Sequence, residues 1–73
     1  MPKLPRISGE EAVRAFERAG WNVARQRGSH VVLIRPGSIY TLSIPLHQAL
    51  EPDLLRDQIR KAGLSVEEFI ALL

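Results

Sequence analysis

The sequence predicts an α+β domain, a three-stranded antiparallel meander with helices on one face in the order α-β-β-β-α-α. Two Ser-x-x-Glu capping boxes, Ser8 to Glu11 and Ser65 to Glu68, open helical apolar patterns near the two ends of the chain. Between them lie three short strand-like stretches, Trp21 to Gln26, His30 to Arg35 and Ile39 to Ile44. The punctuation between those stretches, Gly28 and then Pro36-Gly37, is too short for crossover connections, so neighbouring strands run antiparallel. At 73 residues the chain is a single domain, residues 1–73.

Each element has its own reason. In the first helix, Gly9 to Ala19, the residues Ala12, Val13, Phe16 and Ala19 recur at helical spacing, and Gly20 permits a left-handed cap. Ile7 and Ala12 are placed to staple its start. A hairpin loop of Gln26-Arg27-Gly28 would pair Val23 with Val31 and Trp21 with Leu33. Tyr40, Leu42 and Ile44 would join that apolar face. Asn22, Ala24, His30, Val32, Ile34, Thr41 and Ser43 would then stand on the face that the helices leave open. Pro-Gly suits a type II turn, which predicts a wider second loop, and Pro45 stops the third strand. Asp53 is the expected cap of a helix with Leu55, Ile59 and Ala62 inward, ended by Gly63. Leu64 and Phe69 can staple the last helix, whose stripe is Phe69, Leu72 and Leu73.

Composition excludes several functions. Without cysteine there is no disulfide scaffold, thiol nucleophile or thiolate zinc site. The apolar runs Val31 to Ile34 and Phe69 to Leu73 are too short for a membrane span, and Met1-Pro2-Lys3 leads into no signal-peptide core. A cytoplasmic domain with no membrane partner is the expectation. The net charge of +2 is unevenly placed: no acidic residue occurs between Glu17 and Glu51, a stretch holding Arg18, Arg25, Arg27, Arg35, His30 and His47. Such a local positive field favours a polyanion, and nucleic acid is the commonest.

The segment Arg25-Gln26-Arg27-Gly28-Ser29-His30 gathers two guanidinium groups, an amide, a turn glycine and an imidazole around one hairpin. Arginine forks match phosphate oxygens in pairs, and histidine can take or give a proton near neutral pH. Together they suit removal of a proton from a ribose 2′-hydroxyl, whose oxygen then attacks the adjacent phosphate. DNA lacks that hydroxyl, so the chemistry selects RNA. Candidate RNA ligands are Arg25, Gln26, Arg27, Gly28, Ser29 and Lys3, with His30 catalytic and His47 auxiliary. No cofactor and no metal are expected, because Mg²⁺ sites use carboxylates and the sequence around His30 has none.

Gly20-Trp21, the run Arg25 to His30, Ile44-Pro45-Leu46-His47 and the stretch from Leu55 to Ala62-Gly63-Leu64-Ser65 together resemble the HicA family. The opening Pro2-Lys3-Leu4-Pro5 and Ser8-Gly9 are similar to it as well. The resemblance implies the toxin of a type II toxin–antitoxin system: an mRNA interferase, with a fold like the double-stranded-RNA-binding domain. It implies catalysis by the histidine after Gly-Ser, here His30, and a HicB-type antitoxin as partner. Many relatives carry Gly-Thr where this chain has Pro52-Asp53. The acidic Glu51 and Asp53 oppose anion binding at that helix start, which weakens a passive duplex-binding role. Two other functions fit the same fold: a non-catalytic RNA-binding module, and an interaction domain using Val32 and Ile34 on the open sheet face.

Overall fold

Both capping boxes form as the spacing predicts. Ser8 Oγ accepts from the Glu11 amide at 3.1 Å, and Glu11 Oε1 accepts from the Ser8 amide at 3.1 Å. Ser65 and Glu68 repeat the exchange at 3.0 and 2.9 Å. The computed structural model describes residues 3–73, so Met1 and the family-like Pro2 lie outside the described residues. The elements are α1 (Gly9–Arg18), β1 (Asn22–Arg27), β2 (His30–Ile34), β3 (Leu42–Pro45), α2 (Pro52–Lys61) and α3 (Val66–Ala71). The sheet order is β1-β2-β3, antiparallel throughout, with β2 central. Gly20 and Gly63 take φ of +98° and +78° just beyond α1 and α2, the left-handed conformation that ends a helix.

The core lies between one face of the sheet and the helices. Val31 and Leu33 from β2 and Leu42 and Ile44 from β3 are buried there with Ala12, Ala15 and Phe16 of α1, and Leu55 and Ile59 of α2. Trp21 is buried at the sheet's start. The Phe16 and Phe69 rings, 5.0 Å apart at 43°, tie α3 to α1. Burying Val31 and Leu33 is worth about 1.5–3 kcal/mol each. A one-residue slip of β2 would expose both, a large fraction of the ~5–15 kcal/mol that holds a domain folded.

Five local expectations are corrected. The first hairpin loop is not Gln26-Arg27-Gly28, because Arg27 pairs with His30 and leaves Gly28-Ser29 as a two-residue turn. Gly28 has φ +56° and among the described residues no non-glycine residue has a positive φ, the sign pattern of a type II′ turn, whose twist matches the strands. The pairs are accordingly Gln26 with Val31 and Val23 with Leu33, not Val23 with Val31 and Trp21 with Leu33. Third, β3 begins at Leu42 and not Ile39: the turn donates Ser38 N to Arg35 O at 3.1 Å, with Gly37 at φ +85° as a type II turn requires. That turn does not twist into a tight hairpin, so residues 35–41 form a wide loop, and Tyr40 and Ile39 are exposed. Fourth, Asp53 is not the cap of α2. Glu51 holds that position without a side-chain bond, because Pro52, with its fixed φ and no N–H, starts the helix. Last, Leu73 is exposed, so the stripe of α3 ends at the half-buried Leu72.

Two contacts fix the sheet's edge and end. Gln58 of α2, almost buried, accepts from the Ser43 amide at 3.1 Å and satisfies a donor on the outer edge of β3. Gly9 sits where a Cβ would lie 2.0 Å from the Pro45 carbonyl oxygen and 2.8 Å from Leu46 Cα. Both contacts are with backbone, so α1 can start against β3 only with glycine at this position. The Gly9→Ala variant is expected to lose about 2 kcal/mol of stability by overpacking. Urea melts that match wild type in midpoint would show the helix start to be movable.

Candidate functional site

Alternation along β2 decides which side chains meet. Val31 and Leu33 face the helices, so His30, Val32 and Ile34 face away. Residues directly opposite one another share a face, so three rows cross the open side. Arg27, His30 and Pro45 form the first, Arg25, Val32 and Ser43 the second, and Asn22 and Ile34 the third. His30 is exposed at the hairpin end of the central strand, with Arg27 beside it on β1. Cross-strand neighbours have Cβ atoms about 4.5–5.5 Å apart, near enough for a guanidinium and an imidazole to hold one phosphate.

Arg25 reaches this face through an irregularity. Continued alternation from Trp21 and Val23 would turn Arg25 and Arg27 toward the helices. A bulge between Val23 and Arg25 adds one residue, Ala24, and reverses the phase. The regular hairpin drawn from the sequence put Ala24 on the open face, but Ala24 is the bulged residue and the two arginines take the open face. All six β1 residues are exposed, so the bulge changes the face the arginines share and not their burial. The bulge was detectable in principle, because two arginines in phase with Trp21 and Val23 conflict with a regular strand.

Arg25 and Arg27 are exposed, and among the described residues neither is in an ion pair. The α2 cations differ: Arg60 and Lys61 pair with Asp57 at 2.6 and 3.1 Å. The Lys61 ammonium first, and the Arg60 guanidinium next, hold the Asp57 carboxyl below the usual carboxylate range. With Glu51 capping α2 and Asp53 in its first turn, α2 offers polyanions little, while the three rows of the open face contain no carboxylate.

The other candidates surround the hairpin. Gln26 pairs with Val31 on the opposite face, and its Nε2 donates to the Gly28 carbonyl at 3.0 Å, bracing the turn. The Ser29 carbonyl accepts from the Leu46 amide at 2.6 Å, which continues the contact past Pro45 although Pro45 ends β3. His47 is exposed on the loop after β3, and its carbonyl accepts from the Gly9 amide at 2.9 Å. An open depression of about 320 Å³ there is lined by Ser8, Glu10, Leu46, His47 and Gln48. Lys3 is exposed in the segment before α1. The sequence reading missed Gly9 and Gln58, since close backbone approach and edge coverage leave no periodic signal.

These features define a small α+β domain that presents one cationic, carboxylate-free sheet face with a histidine at its tip. A family model described as the HicA toxin of bacterial toxin–antitoxin systems matches residues 9–64, from the start of α1 to the turn after α2. The chain belongs to that family, and such a toxin has an antitoxin as its partner. A search of curated proteins found no match. Among the described residues no group of three or more His, Asp or Glu side chains is arranged to hold a metal ion, and no helix is long and apolar enough to cross a membrane.

The bulge makes a specific prediction. Deleting Ala24 leaves Val23 opposite Leu33 and Arg25 opposite Val32, so the shortened strand is expected to fold with both arginines still on the open face. Cross-strand nuclear Overhauser contacts between residues 25 and 32 test this. Their replacement by contacts in a shifted register would refute the assignment of Ala24 as the extra residue.

Proposed function

We propose that this toxin is a metal-independent RNA endonuclease, with His30 as the base that starts the reaction. The observation that carries the reading is the exposed His30 beside Arg27, one row from Arg25, on a sheet face without carboxylates. The His30 imidazole takes the proton from a ribose 2′-hydroxyl. The 2′ oxygen then bonds to the adjacent phosphorus, the bond to the 5′ oxygen breaks, and a 2′,3′-cyclic phosphate and a new 5′ end result. Arg27 and Arg25 offset the negative charge that builds on the phosphate oxygens. Gly28 and Ser29 form the tight turn beside His30, Gln26 braces it, and Lys3 extends the positive surface. The substrate is mRNA in the cytoplasm, and a HicB-type antitoxin blocks the toxin. No cofactor takes part.

The reading is tested by RNA cleavage in EDTA. His30→Ala is expected to lower the rate about 10²–10⁴-fold, the usual contribution of a general base. A single 2′-deoxy substitution at the cut position is expected to stop cleavage there. Equal activity in wild type and His30→Ala removes the imidazole from the mechanism. Salt-sensitive RNA binding without any products from wild type favours instead the non-catalytic module that the acid-free face also suits.

The arginines have a separate signature. Replacing both Arg25 and Arg27 by alanine is expected to flatten the dependence of log K on log[salt] by about 2, close to one unit per lost phosphate contact. An unchanged slope in a filter-binding or anisotropy titration would place the RNA elsewhere.

A further inference from the structure

We propose that His47 is the general acid of this site, the group that delivers a proton to the 5′ oxygen as it leaves. The inference rests on the reading of His30 as the base and adds the second half of the proton traffic. In an in-line displacement the attacking 2′ oxygen and the departing 5′ oxygen lie on opposite sides of phosphorus. A base and an acid must therefore approach one phosphate from different directions, which two adjacent segments of chain can do and one side chain in a single pose cannot.

The structure holds the chain's two histidines on two such segments. His30 is on β2 and pairs with Pro45, two residues before His47. A cross-strand pair is about 5 Å apart between Cα atoms and two residues reach at most about 7 Å, so the two backbones lie within about 12 Å of each other. Both side chains are exposed.

The loop that carries His47 is also fixed. Leu46 N–H donates to the Ser29 carbonyl at 2.6 Å, joining the loop to the turn beside His30. Gly9 N–H donates to the His47 carbonyl at 2.9 Å, and the missing Cβ of Gly9 lets α1 press on the Pro45–Leu46 backbone. A loop bonded on both sides of one histidine keeps that residue at a constant distance from the hairpin, as an acid–base pair needs. Glu10 of α1 lines the same depression as His47, and His30 with its β1 neighbour Arg27 lies across the strand pair from Pro45. The Arg25 and Arg27 guanidinium groups lie on the His30 side of the hairpin.

The discriminating experiment compares an RNA oligonucleotide with uridine 3′-(4-nitrophenyl phosphate), whose nitrophenolate leaves without needing a proton. His47→Ala is expected to lower RNA cleavage about 10²–10⁴-fold. The same variant is expected to keep cleavage of the nitrophenyl ester within about tenfold of wild type, since no acid is needed there. Its profile of kcat/KM on RNA should lose the fall at high pH, because an acid acts only while protonated. His30→Ala should lose both substrates and the fall at low pH. Circular dichroism and the melting midpoint confirm folding, and His47→Gln repeats the test with a polar side chain. Wild-type RNA cleavage that shows no decline on the basic side overturns the proposal without any variant. So does a His47→Ala protein that cuts RNA like wild type, or one that loses both substrates equally. A His30→Ala protein that still cuts RNA removes the base but leaves the His47 result readable. Cleavage of neither substrate by wild type ends both readings.

Discussion

Val31 and Leu33 are sealed beneath α1 and α2, and side chains alternate along a strand. His30, Val32 and Ile34 are therefore turned outward by the same packing that holds the molecule together. The exposed imidazole needs no dedicated scaffold. Its orientation is enforced by the free energy of burying its two apolar neighbours, and any change of register that buried it would also strip the core. Stability and presentation of the site are thus one constraint on the central strand.

A second constraint acts at the end of the sheet, where three pieces of backbone meet. The turn of the first hairpin, the end of β3 and the first residue of α1 are joined through Leu46 to Ser29 and through Gly9 to His47. This junction brings residues far apart in sequence to one corner of the fold: Ser8 and Glu10, His30, and His47. Glycine is the only residue that permits it, because backbone already occupies the space of a side chain at Gly9.

Much of this was legible in the chain before any coordinates. The capping boxes, the meander, the wide Pro-Gly loop and the outward face of His30 all follow from local rules, since each depends on a few adjacent residues. The register of β1 did not follow. The three-residue loop gave the right face for Asn22 and Val23 but carried Ala24 as a regular strand residue, whereas Ala24 is a single extra residue that reverses alternation partway along the strand. Asp53 was misread because it lies just past Pro52, whose fixed φ and missing N–H start α2 and leave Glu51 at the cap position. Gly9 and Gln58 were opaque because their importance comes from atoms distant in sequence. The HicA membership of residues 9–64 agrees with motifs spread over the same span.

The two borders of the sheet are treated differently. Gln58 covers part of the β3 border, whereas all six residues of β1 are exposed and β1 has a neighbour on one side alone. An uncovered border of this kind is a template for another chain. Here it is kinked by an extra residue and carries Arg25 and Arg27. Two copies meeting antiparallel around Gln26 would set arginine against arginine. The groups that suit this rim to a polyanion thereby discourage the protein from stacking into fibres of itself.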